Sequence, residues 1–487
     1  MVDHSRVRVD GKELSCAGVV RLARRSASVE LSGEALTTAE RVHRAAVESG
    51  AKRAVYGRTT GVGANRHNVV DPSAADQHGL RLLRSHAGGT GEPLPDGVVR
   101  ATLAIRLNQL AAGGSGVHPQ VLEALETALR VGASPLVHSR GAIGTGDLTA
   151  LAEIGLTLAG QRPWEIGLLA PVAISPGDAL AFISSNAATL GEAVLAWDEL
   201  SRLLRASHAV VALSFHALGG SAEAYSEHVH AARPHPGSVR CAATLRRLLG
   251  DELSPGRRIQ DPFGLRAFPQ IQGPALDATE SLEQVLGIDI NAAAENPLID
   301  AGTTEVYHHG QFSTPYLALT LDHLRAALHH VAELSTARLS NLVEPDLTGL
   351  PPFLAVGPAG SSGVMILEYV AHDALSQLRH SAAPVTLGSA VISRGLEDHA
   401  SFSTQAVRST SAAVTAFRTV LGCELLAAVR ALRLAGAELP PSPAREVLAL
   451  AVERLPMIEE DHPLSDEVSQ AEQLLDALVA FAEPPTA

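Results

Sequence analysis

The chain is predicted to be mainly α-helical, with long helices as central members of a bundle. Three observations predict this. A run from Pro315 to Glu344 holds no glycine and no internal proline. A second run, from Thr404 to Leu434, carries apolar residues at helical spacing with Gly422 as its only glycine. Strand signals are few. Runs this long in a soluble chain belong to bundle interiors, where an apolar stripe can be covered along its whole length.

In chain order, Val7–Val9 reads as a short strand. Thr37-Thr38-Ala39-Glu40 reads as a capping box opening an amphipathic helix over 37–49. The Gly/Pro-rich stretches 88–96, 112–119, 345–363 and 437–444 read as loops. Leu148–Leu158 reads as a helix with Asp147 near its N-cap, and a further helix lies near Ala275–Leu286. Val306–His308 is a second strand candidate. In the longest run, Pro315 suits a first turn and Pro345 stops the helix. Its residues Leu317, Leu321, Leu324, Leu328 and Val331 step by four and three, a seam built for burial. The tail after Ala482 is expected to fray.

Composition narrows the function classes. The 487 residues give ample length for a large core, and 46% hydrophobic with 18% charged residues is ordinary for a globular protein. A net charge of −14 repels phosphate backbones, so no nucleic-acid partner is expected. The N-terminus lacks a basic start followed by an apolar stretch, so a cytoplasmic chain is expected. No uninterrupted apolar segment has the length of a membrane span, and none is expected. Cys16, Cys241 and Cys423 lie far apart without metal or redox spacing, and read as reduced thiols. Only Lys12 and Lys52 among the 38 basic residues are lysines. Arginine forms no Schiff base at neutral pH, so lysine-dependent pyridoxal chemistry has almost no candidate residue.

The most informative stretch is Gly141-Ala142-Ile143-Gly144-Thr145-Gly146-Asp147-Leu148. By itself it is a flexible turn opening a helix, of the kind that presents backbone N–H groups to an anion. Its companions are more specific. They are Tyr56-Gly57-Arg58-Thr59-Thr60-Gly61-Val62-Gly63, Ser85-His86-Ala87-Gly88, Arg106-x-Asn108 with Gly113-x-Ser115-Gly116, and Gln260-Asp261-Pro262-Phe263-Gly264-Leu265-Arg266. Further along come Glu295-Asn296-Pro297-Leu298, Gly310-Gln311-Phe312 and Glu397-Asp398-His399.

In order and approximate spacing this series resembles the histidine and phenylalanine ammonia-lyase family, nearest its histidine branch. The resemblance implies an all-α fold of long antiparallel helices in a central bundle, of the fumarase/aspartase-type superfamily. It implies an N-terminal domain over 1–200 with the Tyr56 loop and the Gly144-Thr145-Gly146 turn. The central bundle and C-terminal helices would fill 201–487, supplying Arg266, Phe312 and Glu397. It also implies a homotetramer whose sites draw on several subunits, and a small amino-acid substrate.

In that family an Ala-Ser-Gly tripeptide cyclises with loss of two waters to an electrophilic methylidene-imidazolone. The resemblance therefore marks Gly144, Thr145 and Gly146 as the source of a self-formed group of that type, with no metal and no nucleotide. Tyr56 would be the base taking the substrate's β-proton, which requires a lowered pKa or a proton relay. Arg266 would clamp the carboxylate with its planar guanidinium. His86 and Glu397 would line the side-chain or amine pocket, alongside Ser184, Asn186, Gln260, Phe263 and Phe312.

Several positions depart from the family pattern. Thr145 replaces the serine whose β-carbon becomes the exocyclic methylene, so the alkene would carry an extra methyl and be less electrophilic. Gly144 replaces alanine, which eases ring closure or makes room for that methyl. Phe263 replaces a tyrosine. Ser184-Ser185-Asn186 replaces Asn-Gly-Thr, leaving open whether Ser184 or Asn186 takes the amine-site role. Leu396 also stands where glutamine is common. Three readings follow, in order. The first is a carbon–nitrogen lyase, ammonia-lyase or aminomutase, acting on an α-amino acid with an imidazole or aromatic side chain. The second is an enzyme on the same scaffold using acid–base chemistry by Tyr56 and Glu397 without the prosthetic group. The third is a non-catalytic scaffold.

Other signals are set aside. In His308-His309 and His329-His330, adjacent helical residues point about a hundred degrees apart and do not chelate from one face. Gly61-x-Gly63 lacks the third glycine of a dinucleotide fingerprint.

Overall fold

Both long runs are helices, Pro315–Leu342 and Ser403–Leu434. The seam residues Leu317, Leu321, Leu324, Leu328 and Val331 are all buried, as their spacing predicts. The helix near Ala275 is longer than its periodic core, running Phe268–Asp289 across Pro274. One internal proline removes a single backbone bond, and the buried Ala275, Ala278, Leu282 and Leu286 outweigh that loss. The computed structural model describes residues 5–71, 75–175, 177–251, 256–457 and 460–483. Residues 484–487 of the expected frayed tail lie outside these.

The chain divides into two compact units that are not sequential halves. The first comprises Met1–Asp198, Leu282–Leu321 and Pro384–Arg408; the second comprises Glu199–Ser281, Asp322–Ala383 and Ser409–Ala487. The first unit therefore contains Phe312 and Glu397 together with the Tyr56 loop and the Thr145 turn, whereas the expected division at residue 200 separates them.

In the first unit, Arg6–Val9 pairs in parallel with Ser28–Leu31, joined through the helix Cys16–Ala23. The next helix is Gly33–Lys52. Its cap is Ser32, whose side chain accepts from Ala35 N, so the capping box placed at Thr37 is overturned. Ser32 ends a strand in extended conformation and can cap, whereas Thr37 already lies inside the helix and donates to Gly33 O. The loop read over 88–96 contains a short strand, Thr90–Pro93, paired with His138–Arg140. Val306–Tyr307 pairs with Leu298–Ile299.

The helix Asp96–Ala111 is buried from Val98 onward, and its polar residues pin other backbone segments. Arg106 donates to Phe182 O, to Ala181 O and to Glu295, a pair in which both side chains are 1% exposed. Asn108 donates to Ile290 O, and Gln109 binds Ser185 Oγ and Asp289 O. The Arg106-x-Asn108 motif is therefore scaffolding that fixes the segments 181–185 and 289–295.

The second unit is helical, including Pro236–Leu249, Ile366–Ser381, Pro443–Arg454 and Ser465–Ala482. Its interior holds Arg338 and Glu424, both fully buried and joined at 2.6 and 2.8 Å. Two helical stretches, Asp178–Leu218 and Ser403–Leu434, are apolar enough by length and composition to cross a membrane, which counting uninterrupted apolar runs missed. Most of each apolar window (89% and 78%) is buried within the protein, the condition of core helices. All three cysteines are buried, and burial pushes Cys16 and Cys423 up to about 12, as inert thiols.

Candidate active site

The Tyr56 loop follows the helix Gly33–Lys52 and folds into a tight turn in which Arg58 N and Thr59 N both donate to Val55 O. Gly57 has a φ of +68°, and a Cβ there would meet Leu180 at 2.0 Å, so the turn requires glycine. Arg58 ties the loop to the Gly113–Gly116 turn by donating to Ser115 O and Gly116 O at 3.1 and 2.6 Å. The Tyr56 hydroxyl accepts from Gly63 N at 2.7 Å. Burial raises the phenol's pKa and the nearby Glu397 adds to the rise; the Gly63 N–H and Arg66 pull it down, less strongly. Of the two routes named for this base, a lowered pKa and a relay, burial works against the first.

The segment 142–147 is tethered at every residue. Ala142 O accepts from Gln405 Nε2, Ile143 O from Phe402 N, and Gly144 O from Ser401 Oγ. The Thr145 hydroxyl donates to the Glu397 carboxylate. Gly146 N donates to Asn186 Oδ1 at 3.1 Å, and Asp147 N to Ser185 O at 2.7 Å. Gly144 and Gly146 have φ of +86° and +105°, left-handed values on both sides of Thr145 that side chains rarely adopt. A rigid, doubly left-handed tripeptide that is almost wholly buried fits a self-cyclising segment.

Asp147 precedes the helix Leu148–Leu158 but does not cap it with its side chain. Its carboxylate instead accepts from Thr189 N and Thr189 Oγ1, at 2.7 and 2.8 Å. Burial nonetheless pushes its pKa up to about 6. Because the folded value lies above the unfolded one, this group favours the fold fully below about pH 4 and loses that contribution as pH rises through 6. Asp147→Asn should therefore gain on the wild type as pH rises from about 4 to 7, by up to about 3 kcal/mol. Paired melting curves across that range check the slope, independent of any constant offset from altered hydrogen bonds.

Glu397 lies on a small turn closed by Ile392 N to Glu397 O at 2.8 Å. Within it, Ser393 and Arg394 adopt left-handed φ without being glycine, a strained arrangement typical of functional loops. Ser393 Oγ accepts from Ala64 N, joining this turn to the Tyr56 loop. Burial raises the Glu397 pKa against the pull of Thr145 and His86, and its Oε2 is buried without a partner among the described residues. His86 ends the helix Ala75–His86. Its Nδ1 lies 2.8 Å from Leu82 O, which only accepts, so Nδ1 carries a proton and Nε2 is left to other partners.

These groups converge on one cavity of about 460 Å³, lined among others by Tyr56, His86, Thr145, Ser184, Phe312 and Glu397. Ser184 and Asn186, the two candidates for the amine-site role, are placed differently. Ser184 lines the cavity while its Oγ accepts from Asn296 N; Asn186 holds Gly146 N and donates to Phe312 O from behind. Asn296, Asn65 and Ser393 also line the cavity but were not named as site residues. Asn296 was visible within a motif, whereas Asn65 and Ser393 had no sequence signal. A second cavity of about 580 Å³ shares Tyr56, Asn296, Phe312 and Glu397 and adds Arg66, His67, His308 and His309.

Gln260, Phe263 and Arg266 belong to the second unit and do not line this cavity. Gln260 is exposed, and Phe263 is 60% exposed beneath the Arg266 guanidinium at 4.0 Å. Arg266 Nε donates to Asp261 O. His329 and His330, set aside as pointing apart, both turn onto the Glu333 carboxylate, at 3.5 and 3.1 Å. Side-chain rotation overcomes the angular separation of their Cβ atoms.

Residues 14–454 match the aromatic amino acid lyase family. A histidine ammonia-lyase from Geobacillus sp. (strain WCH70) is 33% identical over 488 residues, covering 96% of each chain. The ergothionase of Treponema denticola, an ergothioneine-degrading enzyme, superposes with a TM-score of 0.91 at 25% identity, over 97% of this chain and 99% of its own. A tyrosine aminomutase from Streptomyces globisporus gives 0.91 at 26%, over 98% and 97%. A tethered glycine-flanked tripeptide facing a tyrosine and a glutamate, on a fold shared along its whole length with these enzymes, leaves one conclusion: the chain is a carbon–nitrogen lyase of the aromatic amino acid lyase family.

Proposed function

We propose that this enzyme eliminates ammonia from, or shifts the amino group of, an α-amino acid carrying an imidazole or other polar aromatic ring. The observation that carries the reading is the convergence of Tyr56, Thr145, His86 and Glu397 on one cavity. Gly144, Thr145 and Gly146 would form the imidazolone-type group, which when present supplies an electrophile that makes the substrate amine a better leaving group. Tyr56 takes the β-proton, and Gly63 N–H stabilises the phenolate. The unpartnered Oε2 of Glu397 is an acceptor for a ring N–H, with His86 beside it. Ser184 lines the same cavity and faces the amine.

Arg266, Gln260 and Phe263 act in a neighbouring copy's site, within a homotetramer. The exposure of Phe263 and Gln260 supports that role. The acidic surface charge and buried thiols suit a cytoplasmic enzyme.

The test is the mass of the proteolytic peptide spanning Gly141 to Asp147, followed by a screen of amino acids for ammonia release and new ultraviolet absorbance. A peptide lighter by two waters supports the reading. Full mass with borohydride-insensitive turnover would move the chemistry to acid–base elimination by Tyr56 and Glu397. Glu397→Gln should raise KM for an imidazole-bearing substrate more than for phenylalanine, by about tenfold or more if one charge-assisted hydrogen bond is lost. Equal effects on both substrates would remove Glu397 from ring recognition.

A further inference from the structure

We infer that Ser401 is a positioning residue for the cyclisation of Gly144-Thr145-Gly146, and that its hydroxyl is the reason residue 144 is glycine. The inference rests on the proposed self-formed group. Its starting point is steric. A Cβ built on Gly144 would meet Ser401 Oγ at 2.1 Å, Ser403 Oγ at 2.9 Å and Ser403 N at 3.0 Å. The space of an alanine methyl is therefore filled by a serine hydroxyl, on a residue whose φ of +86° already disfavours any side chain.

That hydroxyl has a defined direction. Ser401 Oγ accepts from Ser403 N at 3.4 Å, and its own hydrogen is donated to Gly144 O at 3.2 Å. Ser401 is 4% exposed, so water does not compete freely for that carbonyl. Ser403 Oγ is engaged elsewhere, with Thr314 Oγ1 at 2.8 Å. Ser401 is thus the side-chain donor aimed at the carbonyl that ring closure must attack.

The chemistry balances without an oxidant or reductant. Gly146 N forms a bond to the carbonyl carbon of Gly144, and negative charge develops on Gly144 O. That oxygen takes up the proton released from Gly146 N and the proton of Thr145 N, and leaves as the first water while a double bond forms between the Gly144 carbonyl carbon and Thr145 N. The Thr145 hydroxyl leaves with the Thr145 α-hydrogen as the second water, creating the carbon–carbon double bond. A donor already aimed at Gly144 O binds more strongly as charge grows there, which is the condition for lowering the barrier. Asn186 Oδ1 orients the attacking nitrogen through its N–H.

The test follows the mass of the peptide containing residues 141–147 over time after synthesis, in full-length wild type, Ser401→Ala, Ser403→Ala and Gly144→Ala. A thermal melt of each variant serves as the folding control. Wild type and Ser403→Ala should lose two waters at similar rates. Ser401→Ala should lose them about a hundredfold more slowly, the usual effect of deleting one oxyanion donor, with an unchanged melt. Gly144→Ala should keep full mass. Ser401→Ala converting at the wild-type rate overturns the inference while leaving the self-formed group in place. A wild-type peptide of full mass overturns both together. Should Ser401→Ala fail to fold, Ser401→Cys decides, since it keeps the volume and only a weak donor: slow conversion supports the role, and wild-type conversion removes it.

Discussion

Replacing Tyr56 by phenylalanine should lower kcat by about 10²–10⁴-fold, the usual contribution of a positioned general base, with little change in stability. The phenol oxygen accepts one backbone N–H, from Gly63, and its ring meets His308 edge-on at 6.3 Å, a contact phenylalanine retains. The loop is held by Val55, Gly57 and Arg58 rather than by the hydroxyl. The pH profile carries a second part of the prediction. Burial holds the phenol above its ordinary value, and a base must be deprotonated to act. The rate should therefore still be climbing as pH approaches about 10, the ordinary tyrosine value. Steady-state rates of ammonia release across pH, with a thermal melt of the variant, check both parts. Full activity in Tyr56→Phe would take the residue out of the chemistry.

The second large effect concerns stability. Glu424→Ala should destabilise the second unit by about 3–5 kcal/mol, because removing one partner of a buried pair leaves the other charge uncompensated. Arg338 donates to both carboxylate oxygens, Ser214 and Ser335 donate one bond each, and neither charged side chain has any exposure. Arg338 also donates to Gly264 O, so the stranded guanidinium would keep only part of its hydrogen bonding. The double replacement Glu424→Met with Arg338→Met should cost distinctly less than Glu424→Ala alone, since no charge is then left buried. Denaturant melts of the three proteins measure this. A double variant as unstable as the single one would mean that the pair's shape, rather than its charge, is what the core needs.

Helices were legible where burial follows a local rule. Leu317 to Val331 are spaced so that one face is apolar, and that face is buried wherever the helix packs. The start of the helix Gly33–Lys52 was misplaced because Thr37 and Glu40 match a cap in composition, while Ser32 has the extended backbone that capping requires. Tyr56, Thr145, His86 and Glu397 could be named from motifs and do meet at one cavity. Gln260, Phe263 and Arg266 were equally visible as a motif, yet they lie in the other unit. A motif records which residue types occur together along a chain, not which chain or unit brings them to a site.

The sequence by itself determined the helical class and the family, and marked the tripeptide that carries the proposed chemistry, because periodicity and short motifs are properties of neighbouring residues. Only the tertiary structure decided why residue 144 is glycine. The answer is a hydroxyl 257 positions further along the chain, placed against its carbonyl by packing. It also decided that Ser184 faces the cavity while Asn186 holds the tripeptide from behind, although the two stand only two residues apart. Distances between segments remote in sequence are set by how side chains fill a common interior, and local patterns carry no record of that filling.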